Sequence, residues 1–245
     1  MTNYQVKPNY GIDAPEVIRQ FLLIGFISAI AGWFTPPLSI FGNTFSFIGS
    51  VLFTLGLLAI ALGTSMIAYG IRGKFNIREQ MLNIVNWKGD ENVLDIGTGR
   101  GLLMIGAAKR LKTGKVIGID IWNTEDLSGN TAGNTLINVE LEGVKDKTEL
   151  KNEDVRNMSF ADNSFVVILS LLCLHNIDDK TEREVACREI ARVLKPGGTA
   201  VISDYVNISE YAKVLAQVGL KVEKPKSYFF EAYSLIWMVV VTKER

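Results

Sequence analysis

A cluster of alternating glycines has the residue types and spacing to hold a polar ligand. Gly97, Gly99 and Gly101 directly follow a short apolar segment, and an apolar helical pattern begins at Leu102. Alternate glycines permit positive φ angles and let a ligand approach the main chain closely. The helix that begins there would direct free N–H groups at the turn. The segment therefore predicts a strand, a tight loop and a helix, the first unit of an α/β domain.

Three aspartates near this loop narrow the choice of ligand. Asp95 lies two residues before Gly97, where its carboxylate would repel a pyrophosphate and attract a cationic group such as that of an amino acid. Leu102 stands where the dinucleotide fingerprint requires a glycine. Asp120 ends the next predicted strand, placed to accept hydrogen bonds from a ribose diol, and Asp154 follows the third, where it could accept from an exocyclic amine. Each acid alone could be a turn residue or a helix cap, but three at successive strand ends favour a binding site.

The end of the fourth predicted strand holds the candidates for acceptor-side chemistry. The single histidine, His175, could act as a general base near neutral pH, or it could pack against or cap the following helix. One histidine also excludes a multi-histidine metal site, and we expect no metal. Trp122 could stack on a base or belong to the core. Lys74, Arg78 and residues 228–230 could border an acceptor, with a solvated or packed role as the alternative.

The elements that position these residues alternate along the chain. Strands are predicted at 93–96, 115–121, 149–151, 165–172, 199–203, 221–223 and 236–242. Helices are predicted at 102–111, 131–143, 180–194 and 209–218, with a turn at 195–198. Alternation of this kind predicts a doubly wound, mostly parallel sheet whose ligands bind at the carboxyl ends of the strands.

The first third of the chain has a different character. After a short polar tail, residues 1–16, which we expect to be poorly ordered, two apolar runs follow at about 17–35 and 45–69, and the second has 25 residues without a charge. About 20 apolar residues span a bilayer, so residues 17–71 predict a transmembrane helical hairpin. A cleaved signal peptide is disfavoured because no clear basic region precedes the first run. A buried helical hairpin in a soluble protein remains an alternative.

Small and basic residues support the hairpin and give it an orientation. Glycines recur every seven residues in the second run, and Ser28 and Gly32 offer a counterface in the first; the recurring glycines are Gly49, Gly56, Gly63 and Gly70. Basic residues flank the two runs but are missing from the loop between them; the flanking residues are Lys7, Arg19, Arg72, Lys74 and Arg78. The positive-inside rule then predicts a multi-pass protein of the cytoplasmic membrane with both ends in the cytoplasm. Residues 72–90 predict a connecting helix to a domain at 91–245.

The motifs at 93–101, 116–120, 154–160 and 189–198 resemble the class I S-adenosylmethionine-dependent methyltransferases. The resemblance covers about residues 76–245 and implies a Rossmann-like, seven-stranded sheet. It also implies that Asp95 and the loop hold the methionine part of S-adenosylmethionine, that Asp120 binds the ribose, and that the fourth strand end meets the methyl group. The implied cofactor-binding residues are Asp95, Gly97, Thr98, Gly99, Gly101, Asp120, Ile121, Asp154, Val155 and Ser170. Many members carry an acid where this chain has Val166.

Composition limits the partners of such an enzyme. Lys plus Arg equals Asp plus Glu at 26 each, so the bulk basic excess typical of nucleic-acid binding is missing and a nucleic-acid substrate is disfavoured. The sequence thus predicts methyl transfer to a small apolar or lipid-like acceptor at the cytoplasmic membrane face. The alternative is a membrane-anchored S-adenosylmethionine-binding protein with a regulatory or scaffolding role.

Overall fold

The computed structural model describes residues 6–40, 43–45 and 47–245. Helix α1 (Pro15–Phe34) and helix α2 (Phe47–Ala68) run antiparallel. Between them, where the sequence suggested a turn-rich loop, strands β1 (Leu38–Ile40) and β2 (Asn43–Phe45) pair as a hairpin. Helix α2 continues through a π-helical turn (Tyr69–Gly73) into α3 (Lys74–Ile84), which is the predicted connecting helix. The apolar helix and the first helix of the α/β domain are therefore one continuous helical rod.

Glycines bring α1 and α2 into contact within one chain. A Cβ on Gly49 would lie 2.7 Å from the carbonyl oxygen of Gly32, and one on Gly56 would lie 2.7 Å from that of Gly25. The stripe is thus confirmed as a helix-packing surface for Gly49, Gly56 and Gly63. Gly70 instead lies in the π-helical turn and faces Ile12. Gly32 is confirmed as part of the counterface and is joined there by the buried Gly25 and Ala29, whereas Ser28 is only half-buried.

Most of the apolar surface of the two helices faces away from the protein. Both helices are long and apolar enough to cross a membrane, with mean hydropathies of 1.7 and 2.2 over their most apolar windows. Only 17% and 11% of those windows are buried, since the helices pack chiefly on each other.

The α/β domain contains one mixed sheet. Its strands are β3 (Asn92–Ile96), β4 (Lys115–Asp120), β5 (Thr148–Asn152), β6 (Phe165–Leu171), β7 (Leu194–Asp204), β8 (Lys221–Val222), β9 (Lys226–Ser227) and β10 (Trp237–Thr242). The order is β5-β4-β3-β6-β7-β10-β8, with β10 antiparallel to its neighbours and β9 pairing with β10. The chain leaves β3 first towards β4 and later returns to β6 on its other side, which makes the end of β3 the switch point where such sheets bind ligands. Eight strands are present rather than seven, because the two-residue β9 has no periodicity that a sequence could show.

Helices cover both faces of this sheet, as the doubly wound prediction requires. One face packs against α3, α4 (Leu102–Ala108) and α5 (Ala132–Leu141). The other packs against α6 (Lys180–Val193) and α7 (Ile208–Gln217). Short α8 (Phe229–Ala232) precedes β10 and contacts α3.

The predicted turn at 195–198 is instead part of β7. Phe165 pairs with Leu194 and Val167 pairs with Thr199, so residues 195–198 bulge out opposite Val166. A bulge accommodates Pro196, which has no N–H to donate to a ladder. Val166, where the sequence departs from the family pattern, lies at this bulge near the start of β6, about 17 Å along the strand from its carboxyl end. The departure is therefore remote from the switch point.

The N-terminal tail is ordered where the structure describes it. Residues 9–14, the N-terminal strap, cross the outside of the glycine loop and lead directly into α1. The backbone of Asn9 exchanges two hydrogen bonds with the side chain of Asn138, at 2.9 and 2.8 Å. Ile12 and Ser128 are joined backbone to backbone at 3.0 Å, and Ala14 N–H donates to the Asp126 carbonyl at 3.0 Å. The expected disorder of the tail is wrong for these residues; residues 1–5 lie outside the described part.

Candidate functional site

A cleft of about 430 Å³ opens at the carboxyl ends of β3, β4 and β6. This volume lies in the range of small-molecule sites. Sheet loops line it at residues 95–100, 119–121, 153–156, 171–173 and 176–179. Residues from outside the sheet complete it, among them Tyr10 and Asp13 of the N-terminal strap and Tyr69 and Lys74 beyond the end of α2.

The glycine loop has the positive φ angles that its sequence predicts, at 67° for Gly97, 51° for Gly99 and 86° for Gly101. A Cβ on Gly97 would collide with the Cys173 side chain, so glycine is required there. Much of the loop's hydrogen-bonding capacity is used inside the protein. The N–H groups of Gly97 and Thr98 donate to the Ile119 carbonyl at 2.9 and 3.0 Å, and Gly101 N–H donates to the Thr98 carbonyl at 2.8 Å. This loop is therefore not an open cradle for phosphate.

Asp95 is almost completely buried beneath the loop, with 1% of its surface exposed. Its Oδ2 accepts a hydrogen bond from the Thr98 hydroxyl at 2.7 Å and one from the Met104 backbone N–H, in the first turn of α4, at 2.9 Å. Burial raises the pKa of Asp95 to about 7 even though these two bonds favour the carboxylate. Because Asp95 also lines the cleft, a cationic ligand group bound there would favour the charged form.

Asp120 joins the ends of β3 and β4. Its Oδ2 accepts from Gly99 N–H at 2.8 Å, and its Oδ1 accepts from Trp122 N–H at 2.7 Å and from the Asn130 amide at 3.3 Å. Both carboxylate oxygens thus stabilise the two loops as well as lining the cleft. Trp122 itself has a φ of 60° and is outside the lining, so its proposed stacking role has no support from this geometry.

Asp154 lies on the third wall of the cleft and is bonded to Arg156. The guanidinium donates to both carboxylate oxygens and also reaches Glu182 at 3.0 Å. The Arg156 guanidinium lowers the pKa of Asp154 and keeps it ionised. Ile121 and Val155 line the same region, and Ile121 is 61% exposed, leaving an apolar surface free for a flat ligand.

Three of the predicted site residues lie outside the cleft lining. Gly101 faces Ile105 and Thr135 at the start of α4 and shapes the loop from behind. Ser170 is 1% exposed, its hydroxyl has no hydrogen-bond partner among the described residues, and the lining of β6 begins one residue later, at Leu171. The third is His175, although its neighbour Asn176 contributes to the wall.

His175 instead contacts Asp204, a fully buried acid at the end of β7. Its Nδ1 lies 2.8 Å from Asp204 Oδ1, and its backbone N–H donates to Asp204 Oδ2 at 3.1 Å. The imidazole packs edge-on against Tyr205, with ring centroids 4.7 Å apart. Nδ1 makes no aligned hydrogen bond among the described residues, so the ring is held by the backbone bond of His175 to Asp204 and by the contact with Tyr205. Sequence reasoning missed Asp204 because it follows an apolar strand without a motif.

Lys74 connects the N-terminal strap to the cleft. This lysine is 3% exposed, and its Nζ donates to the carbonyls of Tyr10 and Gly11 at 2.9 and 2.6 Å and to Asp13 Oδ2 at 3.2 Å. From the sequence alone, Lys74 is predicted only to be a basic residue that flanks a membrane helix or a residue that could border the acceptor. Nothing in the strap's sequence indicated that Tyr10 and Asp13 lie in the same cleft as Asp95.

The charges of the lining indicate the kind of ligand that fits. Acidic side chains outnumber basic ones in the lining. The basic residues are Lys74, Arg100 and Arg156. The acidic residues are Asp13, Asp95, Asp120, Asp126, Glu153, Asp154, Asp178, Asp179 and Glu182. A pyrophosphate would be repelled, whereas a ligand with a cationic amino acid end, a diol and an exocyclic amine finds acceptors. S-adenosylmethionine has these groups, so the residues present fit it.

Comparisons with known proteins agree with this fit. Residues 94–202 match the family model described as a methyltransferase domain. The chain is 35% identical over 130 residues to the ubiquinone/menaquinone biosynthesis C-methyltransferase UbiE of Neisseria meningitidis, covering 52% of this chain and 48% of that one. It is 33% identical over 128 residues to a sterol 4-C-methyltransferase of Caenorhabditis elegans, covering 50% and 34%. The chain thus spans about half the length of the first relative and a third of the second.

The fold is shared with solved structures. A SAM-dependent methyltransferase from Aquifex aeolicus superposes with a TM-score of 0.54 at 21% identity, covering 67% of this chain and 88% of that one. Residues 94–202 therefore match a methyltransferase domain, and the likeness to the solved structure shows its fold.

Proposed function

We propose that this protein transfers a methyl group from S-adenosylmethionine to a lipid-like acceptor at the cytoplasmic face of a membrane. The observation that carries the proposal is the shared cleft, in which Tyr69 and Lys74, just beyond the apolar helix α2, line the same space as the glycine loop. An acceptor that leaves the bilayer along α2 would reach the cofactor without crossing water. The names of the two relatives, one for ubiquinone and menaquinone and one for sterol, support a lipid-soluble ring compound.

The membrane part of the proposal has its own support. At 1.5 Å per residue, the 20 residues of α1 and the 22 of α2 are about 30 and 33 Å long, close to the thickness of a hydrocarbon core. Their exposed apolar faces, with only 17% and 11% of the central windows buried, argue against a core hairpin of a soluble protein. We expect the full chain to stay in the membrane fraction after alkaline carbonate extraction. Its release would contradict the membrane insertion of the hairpin.

The chain's own residues would bind and orient the cofactor. In this proposal Asp95 and residues 97–99 hold the methionine end, Asp120 the ribose diol, and Asp154, Val155 and Ile121 the adenine. When bound, S-adenosylmethionine supplies a methyl group on a positively charged sulfur, which needs no metal for its transfer. Alignment of the acceptor and exclusion of water by the N-terminal strap and α2 would then supply most of the rate.

His175 and Asp204 are the proposed proton-accepting pair for an acceptor that loses a proton. The buried carboxylate of Asp204, whose Oδ1 lies 2.8 Å from Nδ1, would stabilise the imidazolium that forms when Nε2 takes the proton. For such an acceptor, His175→Gln should lower kcat about 100-fold while cofactor affinity stays the same. An unchanged kcat would assign the pair to packing.

The acceptor can be identified without bias. Lipid and small-molecule extracts of cells with and without the protein are compared by mass spectrometry for species that differ by one methyl group. The proposal expects the methylated member of one lipid pair to disappear when the gene is deleted and to return with the wild-type protein. A pair found only among water-soluble compounds would contradict the lipid-like acceptor.

A further inference from the structure

An exposed aromatic segment lies between the methyltransferase domain and the end of the apolar helix α2. Five large apolar side chains in residues 228–237, here called the aromatic segment, are more than a third exposed; they are Phe229, Phe230, Tyr233, Leu235 and Trp237. Phe230 reaches 84% exposure, and its ring lies edge-on to that of Phe229 with centroids 5.5 Å apart. Exposed apolar side chains concentrated in one short segment normally mark a contact with an apolar partner.

The aromatic segment is fixed to the helical rod by its backbone. The Ser65 hydroxyl on α2 donates to the Tyr233 carbonyl at 2.7 Å, and the Asn76 amide on α3 donates to the Glu231 carbonyl at 2.9 Å. Between these two bonds, a Cβ on Gly73 would overlap the Ala232 carbonyl, so the two backbones are in direct contact. The height of the segment along the rod is therefore set by the fold.

That height corresponds to one edge of a bilayer. Ser65 lies 18 residues beyond Phe47, the first residue of α2, or about 27 Å along the helix axis. A hydrocarbon core is about 30 Å thick, so with Phe47 at one boundary, Tyr233 lies at the other. Glu231, bonded to Asn76 farther along the rod, lies on the headgroup side of that boundary. Aromatic side chains concentrate at this level in membrane proteins, because the interface accommodates both ring and polar groups.

Charge contributes little to this contact. Arg72, Lys224 and Lys226 are exposed around the segment, but Glu223 and Glu231 are exposed there too. Burial of the aromatic rings must therefore supply the attraction, and a zwitterionic bilayer is a sufficient partner.

We propose that the aromatic segment is a third membrane contact, which inserts its side chains into the lipid–water interface beside α2. The inference rests on the proposed insertion of the hairpin and extends it to a part of the α/β domain. Together with the two helices of the hairpin, the segment would prevent the domain from rotating about α2 and would keep the cleft facing the lipid.

Depth-dependent fluorescence quenching tests the contact on the full chain. Cysteines at Cys173 and Cys187 are replaced by alanine, and one environment-sensitive dye is attached through Phe230→Cys, Leu58→Cys or Leu136→Cys. Leu58 on α2 is 56% exposed and reports hairpin insertion, whereas Leu136 on α5 is 52% exposed and serves as the matched control. The variants are reconstituted in phosphatidylcholine vesicles that contain lipids with a nitroxide quencher near the headgroup or deep in the acyl chain.

We expect the headgroup-proximal quencher to reduce emission at position 230 at least threefold more than at 136, and the deep quencher to act most strongly at 58. If the dye at position 58 is quenched but the dyes at positions 230 and 136 are quenched equally weakly, the third contact is wrong. The proposed function would not be affected by that result. Lack of quenching at 58 would overturn hairpin insertion, and the third contact with it.

Discussion

Replacing Asp95 by asparagine should stabilise the fold at high pH and weaken the cofactor site. The side chain is 1% exposed and its pKa is raised by burial from 3.8 to about 7. Asparagine keeps an acceptor oxygen for Thr98 and Met104 while removing the titratable proton. The variant therefore separates the contribution of the charge from that of the hydrogen bonds.

The sign and size follow from the two pKa values. Because the folded-state pKa lies above the unfolded value of 3.8, the contribution of Asp95 to stability is most favourable at low pH and falls as pH rises from about 4 towards about 7. The raised pKa then costs about 4 kcal/mol of stability at pH 8 and about 2 kcal/mol at pH 5. The gain from Asp95→Asn should be about 2–3 kcal/mol larger at pH 8 than at pH 5, and this difference cancels any pH-independent effect of the amide.

Thermal unfolding of the full chain in detergent measures this difference. At about 2–4 °C per kcal/mol for a protein of this size, the melting-temperature gain of the variant at pH 8 should exceed that at pH 5 by about 4–12 °C. The exposed Asp90→Asn serves as the control and should show no such difference. Calorimetry of the same variant should show S-adenosylmethionine binding weakened about tenfold or more at pH 8. Equal gains at both pH values would refute the burial argument, and unchanged binding would refute the ligand role.

Three further substitutions test separate parts of the account. Asp120→Asn removes one carboxylate acceptor from the proposed ribose site and should weaken cofactor binding about 10–100-fold by calorimetry; unchanged affinity would contradict the assignment. Lys74→Met removes three hydrogen bonds from a buried ammonium and should expose the N-terminal strap to proteolysis, whereas Lys145→Met, at an exposed lysine, should not; equal protection in both would show that Lys74 does not hold the strap. Gly56→Leu overpacks the α1–α2 contact and should cost about 1–3 kcal/mol as a lower melting temperature, while the exposed Leu57→Ala should have little effect; a tolerated leucine would argue against the observed packing.

The sheet and the glycine loop could be predicted because their signals are local. The apolar run of β3 ends at Ile96, just before a glycine, and the run of β4 ends at Asp120. The observed ends of these two strands lie within a residue or two of the predicted ones. The packing surface of α2 is similarly visible in the sequence, because its glycines recur every seven residues. By contrast, the bulge at 195–198 is defined only by pairing with β6, a register that sequence periodicity does not contain.

The outer half of the cleft could not be predicted because it depends on contacts between distant residues. The bond from Lys74 to the Tyr10 carbonyl joins positions 64 residues apart, and the hydrogen bond from Asn9 to Asn138 spans 129. Asp204 and His175 meet because β6 and β7 are neighbours in the sheet. Sequence spacing placed the loops at the strand ends, and tertiary packing added the cleft residues from the N-terminal strap and from the turn beyond α2.

Methyl transfer into lipid by the purified full chain tests the central claim most directly. The protein is reconstituted into vesicles made from a total lipid extract and supplied with S-adenosylmethionine tritiated in its methyl group. The account predicts that tritium enters the organic phase with the wild-type protein and that Asp120→Ala abolishes this transfer. Tight cofactor binding without tritium in any lipid fraction would contradict it.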